Sequence, residues 1–195
     1  MLRELIEHFS EVEELPIEID DIVAKIMDLG FQDEIFLFGA DTDPTQVRGA
    51  FHQFTYRDGV YADPRLVTHI VYSQRVSLPW QRVICAKELV HIFDPLAAKT
   101  DTEEEASLLL DRLVGPLSSE DYGMVDLQAA KDRLALYQAL PLLLPHKALT
   151  IARDAVQADR ATVEQVATWA CLPAEFVRLM LSDDWRELNG VLSDL

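Results

Sequence analysis

The feature that most constrains this chain is a double change in apolar period. Ile19, Ile22, Val23, Ile26 and Met27 recur at helical spacing, acids fill the first turn, and Gly30 is a natural terminator. Between residues 35 and 72 that spacing vanishes. Ile35-Phe36-Leu37-Phe38 reads as a buried strand, closed by the turn-rich stretch from Gly39 to Pro44. Gly49–Tyr56 and Leu66–Tyr72 read as two more strands, with turn residues at Arg57-Asp58-Gly59 and Asp63-Pro64. From Pro79 onward the spacing is helical again. Helices, then strands, then helices predict an α+β fold with a small antiparallel sheet and a mainly helical C-terminal part.

Leu2 to Phe9 is a short amphipathic helix candidate. Pro79 suits the first turn of a helix that runs through His91 to about Phe93 and is stopped by Pro95. Thr102 can cap the next helix, with Glu103, Glu104 and Glu105 in its positive first turn. Further helices are predicted over 125–139, 146–158, 162–170, 173–181 and 183–192. The expected division is a domain over 1–118, with acidic N-terminal helices, and a helical region over 119–195.

Charge narrows the function classes. The 195 residues carry a net charge of −17. Residues 1–36 hold eleven acids against Arg3 and Lys25, a local balance of −9. Phosphate contacts need a basic face, so autonomous nucleic-acid binding is disfavoured. The acid reads as a solvated helical surface or as a dock for a basic partner. No apolar run approaches the roughly 18–20 residues of a membrane span, and the acidic N-terminus lacks the features of a signal peptide. Cys85 and Cys171 form no framework spacing, so the expectation is a reduced, cytoplasmic protein.

The chemistry-bearing stretch is Lys87-Glu88-Leu89-Val90-His91. It has the layout of the zinc-peptidase helix H-E-x-x-H with lysine in the first ligand position. In the intact motif two histidines four residues apart share a metal on one helix face, and the glutamate acts on the metal-bound water. The third ligand comes from a later element, and the run Glu103 to Pro116 begins 12 residues beyond His91.

Over Gln81 to Pro116 the chain resembles the ImmA/IrrE-type metallopeptidases, whose signature pairs "AHEL-x-H" with "E-x-x-A-N-x-F-A-x-x-L-L-M-P". Arg82 matches the arginine of the lead-in, Ala86 to His91 the motif helix, and Ala106, Leu113 and Pro116 the second helix. Leu15 to Ile22 resembles the family's entry helix, and the strands resemble its sheet. The departures are Lys87 for histidine, Ser107 for asparagine, Leu109 for phenylalanine and Gly115 for methionine. The resemblance implies a zincin-like core, Glu88 in the catalytic position, and His91 and Glu103 as metal ligands.

Lys87 alters what those residues can do. An ammonium has no lone pair for zinc and repels it, which leaves His91 and Glu103 one ligand short of a catalytic site. The neighbouring acids favour the charged lysine. The expected picture is a Lys87 ammonium near the metal position, holding Glu103 as an ion pair, with no cofactor. Cys85, Asp94, His69 and His52 are the residues that could rescue a metal. The leading reading is a pseudopeptidase that acts through a protein partner, a regulator or a phage or plasmid protein, in regulation or mobile-element biology. The alternatives are an active metal-dependent endopeptidase with atypical ligands and zinc, and a transcriptional regulator or acidic DNA-mimic. The last rests on a helix-turn-helix-like pattern over 162–181, whose second helix offers Glu175 and Arg178 rather than a base-reading set. Trp169 and Trp185, with Leu140 to Leu144, point to a helical core or a partner-binding surface.

Overall fold

The computed structural model describes residues 1–45, 49–59, 63–94 and 122–193; over 122–130 and 189–193 it describes the backbone alone. Helices α1 (Leu2–Phe9) and α2 (Ile19–Asp28) precede strands β1 (Glu34–Ala40), β2 (Gly49–Tyr56) and β3 (Arg65–Ser73). Helix α3 (Leu78–Val90) continues into a 3-10 turn over His91–Phe93. Five helices follow: α4 (Tyr122–Leu143), α5 (His146–Gln157), α6 (Val163–Ala170), α7 (Ala174–Leu181) and α8 (Asp183–Ser193). The chain is therefore α+β, as the change in period requires. None of the described helices is long and apolar enough to cross a membrane.

Local chemistry explains the helix ends. Asp20 and Asp21 lie in the first turn of α2, and Gly30 takes φ +94° just past its end, a conformation that costs glycine nothing. Pro79 stands in the first turn of α3. Thr162 and Gln165 form a reciprocal capping box at the start of α6.

The sheet corrects two expectations. It is mixed rather than antiparallel: the strand order is β1-β3-β2, with β1 parallel and β2 antiparallel to β3. Hairpin links between successive strands would have made an antiparallel meander. Here β3 inserts between β1 and β2, because Val67, Thr68, Ile70 and Ser73 are buried and its position is the central one. Secondly, Ile35–Phe38 is not a buried strand. β1 is an edge strand whose Phe36 and Phe38 are 42% and 44% exposed, while Ile35 and Leu37 pack inward. An apolar run cannot by itself distinguish two buried faces from one buried and one open.

Helix α3 lies against the inner face of the sheet, with α2 and α4 packed on it. It is buried nearly all round, including Arg82 and Glu88. One apolar cluster joins Leu5, Ile22 and Ile26 to Ile70, Leu89, Leu140, Leu143, Val166, Met180 and Trp185. Each such side chain contributes about 1.5–3 kcal/mol through burial. The Leu140–Leu144 run is core, and of the two tryptophans Trp185 joins it while Trp169 is half-exposed. The expected boundary at 118/119 and the Thr102 helix lie outside the described residues.

Candidate functional site

The last turn of α3 and the middle of α4 bring together five ionisable side chains. The Lys87 ammonium lies 3.0 Å from Glu88 Oε1 and 3.4 Å from Asp132 Oδ2. His91, at the C-terminal cap of α3, has its Nδ1 2.8 Å from Asp94 Oδ2 and its Nε2 3.3 Å from Asp132 Oδ1. Asp132 on α4 thus bridges the two basic groups that α3 presents four residues apart. Glu88 is 4% exposed, whereas Lys87 keeps about a fifth of its side-chain surface open.

The electrostatics follow from this arrangement. Burial alone would lower the Lys87 pKa, but Glu88 and then Asp132 outweigh it, and the ammonium is held above its ordinary value. Burial likewise opposes a charged His91, yet the hydrogen bonds to Asp132 and Asp94 raise it above the ordinary imidazole value. For Asp132 burial acts upward, but His91 and Lys87 prevail and hold the carboxyl below the usual range. A neutral imidazole has one N–H, so only the imidazolium satisfies carboxylates at both ring nitrogens. Two cations thus sit among the three carboxylates Glu88, Asp94 and Asp132.

These donors do not fit zinc. Lys87 offers no lone pair while charged, and both nitrogens of His91 are committed to carboxylates. Among the described residues no group of three or more histidine, cysteine or carboxylate side chains could hold a metal ion. The structure also disposes of three candidate rescuers. Cys85 is buried, and burial followed by the Glu88 charge pushes its thiol up to about 12. His52 and His69 lie among the phenylalanines of the outer sheet face, away from α3. Asp94 does reach the site, as a partner of His91. Glu103 lies outside the described residues.

Asp132 is the site residue that the reading of the sequence missed, and a signal for it exists. Asp132, Ala135, Ala139, Leu142, Leu143 and Pro145 keep the spacing of the acid, alanines, leucines and proline in E-x-x-A-N-x-F-A-x-x-L-L-M-P. That register agrees at more positions than the one beginning at Glu103. It departs at Leu136, Gln138 and Leu144.

Two neighbours hold the motif helix in place. The buried Arg82 guanidinium donates from Nη2 to the Ile17 carbonyl and from Nη1 to Glu18 Oε2 at 3.1 Å, tying α3 to the entry of α2. Strand β2 approaches α3 at Gly49, where a Cβ would overlap Ile84 Cγ2 and lie 2.8 Å from Glu88 Oε1. Gly49→Ala is therefore expected to destabilise the protein by about 1–3 kcal/mol. A lower urea midpoint at unchanged slope would show it; an unchanged midpoint would mean that the strand retreats freely.

The pKa shifts fix the sign of a pH dependence. His91 has a raised folded pKa, so its contribution is complete below the ordinary imidazole value of 6.5 and is lost as pH rises through the folded value. Asp132 has a lowered one, so its contribution is complete above 3.8 and is lost as pH falls through the folded value. Both are complete between those limits. An NMR titration of His91 should show a midpoint above the ordinary range, and Asp132→Asn should bring it down. A midpoint that ignores Asp132→Asn would remove this account.

No known family model matches the chain, and no curated protein matches it. Among solved structures, it is similar to a Mycobacterium tuberculosis transcriptional regulator, with a TM-score of 0.46 and 15% identity, over 92% of this chain and 46% of that one. The chain thus spans about half the length of that regulator.

Proposed function

We propose that the chain is a degenerate ImmA/IrrE-like protein, a pseudopeptidase with a zincin-like core, which acts in the cytoplasm by binding a protein partner. The single observation that carries this reading is the position of Lys87. Its ammonium stands between Glu88 and Asp132, the residues that match the motif's base and, in the better register, its third ligand. A fixed monovalent cation takes the place of the divalent one, so Glu88 has no activated water to work on and the peptidase chemistry lapses. Among the described residues β2 stands at the edge of the sheet and packs against α3. A strand edge of this kind suits an extended segment of a partner, such as a regulator or a phage or plasmid protein.

The DNA-reading alternative would have to work with Glu175 and Arg178 on α7, and Arg178 lies 3.6 Å from Glu164 of α6 in an exposed pair. The active-peptidase alternative needs a third neutral donor at the site. Metal analysis of the purified natural protein decides between that alternative and ours. We expect sub-stoichiometric zinc and a melting temperature that chelator leaves unchanged; one tightly held zinc per chain would overturn the proposal.

A further inference from the structure

On the side of the sheet turned away from α3, the three strands present a continuous aromatic surface. Strand alternation and register set Phe36, His69 and His52 side by side across the sheet. The His69 ring meets Phe36, Phe38 and Phe54 edge-on at 5.8, 4.8 and 4.9 Å, and His52 stacks on Phe54 at 5.3 Å. Phe36, Phe38 and Tyr56 nevertheless remain 42%, 44% and 49% exposed. Aromatic surface gathered on one open face, rather than scattered, marks a contact surface.

The charge on this face indicates what covers it. Among the strand residues that alternation places here, the charged ones are Glu34 and Arg65, which pair with each other at 3.0 Å; Arg65 also reaches Asp58, beyond the end of β2, at 3.1 Å. The strand residues of the face therefore cancel in charge, on a chain whose net charge is −17. Two copies meeting through the acid-rich residues 1–36 would repel, and a basic partner would be drawn to that acid rather than here. A neutral aromatic face lets two copies approach without that repulsion. Open sheet faces bury such residues by stacking sheet on sheet, roughly 10 Å apart, and one patch meeting itself closes as a two-fold dimer.

We infer that this outer face is the contact between two copies of the chain, packed sheet against sheet. The Lys87 site lies on the α3 side, so the dimer leaves it accessible. This inference does not depend on the pseudopeptidase reading.

Sedimentation equilibrium of the full chain tests it. The mass is expected to climb from monomer to dimer by roughly 100 μM, the range of a micromolar Kd. Phe38→Glu places like charges at the contact and should weaken association at least tenfold. Phe38→Ser should weaken it less, and Ile151→Ser, at an exposed apolar residue of α5, should leave it unchanged. Circular dichroism and melting curves establish that each variant is folded; should Phe38→Glu fail to fold, Phe38→Ser and Phe36→Ser decide the matter. A natural chain that stays monomeric at roughly 100 μM, or a dimer indifferent to the folded phenylalanine variants, overturns the inference.

Discussion

Lys87→His is expected to bind one zinc ion per chain, and the natural protein is expected not to. Histidine at 87 would stand one helical turn from His91, the i, i+4 spacing that two ligands of one metal need. Asp132 already lies on the neighbouring helix within reach of both positions, 3.4 Å from the Lys87 ammonium and 3.3 Å from His91 Nε2. The substitution removes the repelling charge and frees Glu88 and Asp132 at once. With zinc at a hundredfold over its Kd, binding stabilises the variant by about 2.7 kcal/mol. For a chain of this size that corresponds to a rise of roughly 5–10 °C in Tm. Uptake should weaken at acid pH, because His91 must give up a proton before it can ligate. Adding Asp132→Asn to the variant should abolish uptake. Metal analysis and zinc-dependent thermal shift read these effects, and no uptake by Lys87→His would remove the zincin reading of the site.

How much of this was legible follows from what local sequence encodes. Helix positions in the C-terminal half were readable because capping chemistry and apolar period act within a few residues. Thr162 with Gln165, for example, marks the start of α6. Strand order was not readable, since the insertion of β3 between β1 and β2 depends on which strand is best buried across the whole sheet. The open face of β1 was hidden for a related reason: Ile35-Phe36-Leu37-Phe38 is apolar at every position, so the sequence lacks the alternation that marks one wet face.

The site was half legible. Lys87, Glu88 and His91 stand on one short helix segment, where spacing alone places them together. Their partner Asp132 lies 45 residues beyond Lys87, and the contact arises because α4 packs along α3. A cation held among retained acids could be foreseen from charge; which acid answers it is a matter of tertiary packing.

Lys87→Met should be among the most destabilising single changes in the chain, by about 3 kcal/mol. Methionine keeps most of the lysine stem but removes the ammonium that answers Glu88 at 3.0 Å. Glu88 is 4% exposed and would lose the only ion-pair partner it has among the described residues, which costs far more than the ion pair itself contributes. Lys87→Met/Glu88→Gln should recover most of the loss, because a neutral amide needs only hydrogen bonds. Urea unfolding at neutral pH reads both effects. A deficit below about 1 kcal/mol, or a double variant no more stable than Lys87→Met, would mean that Lys87 acts through packing and not as the counter-charge of the site.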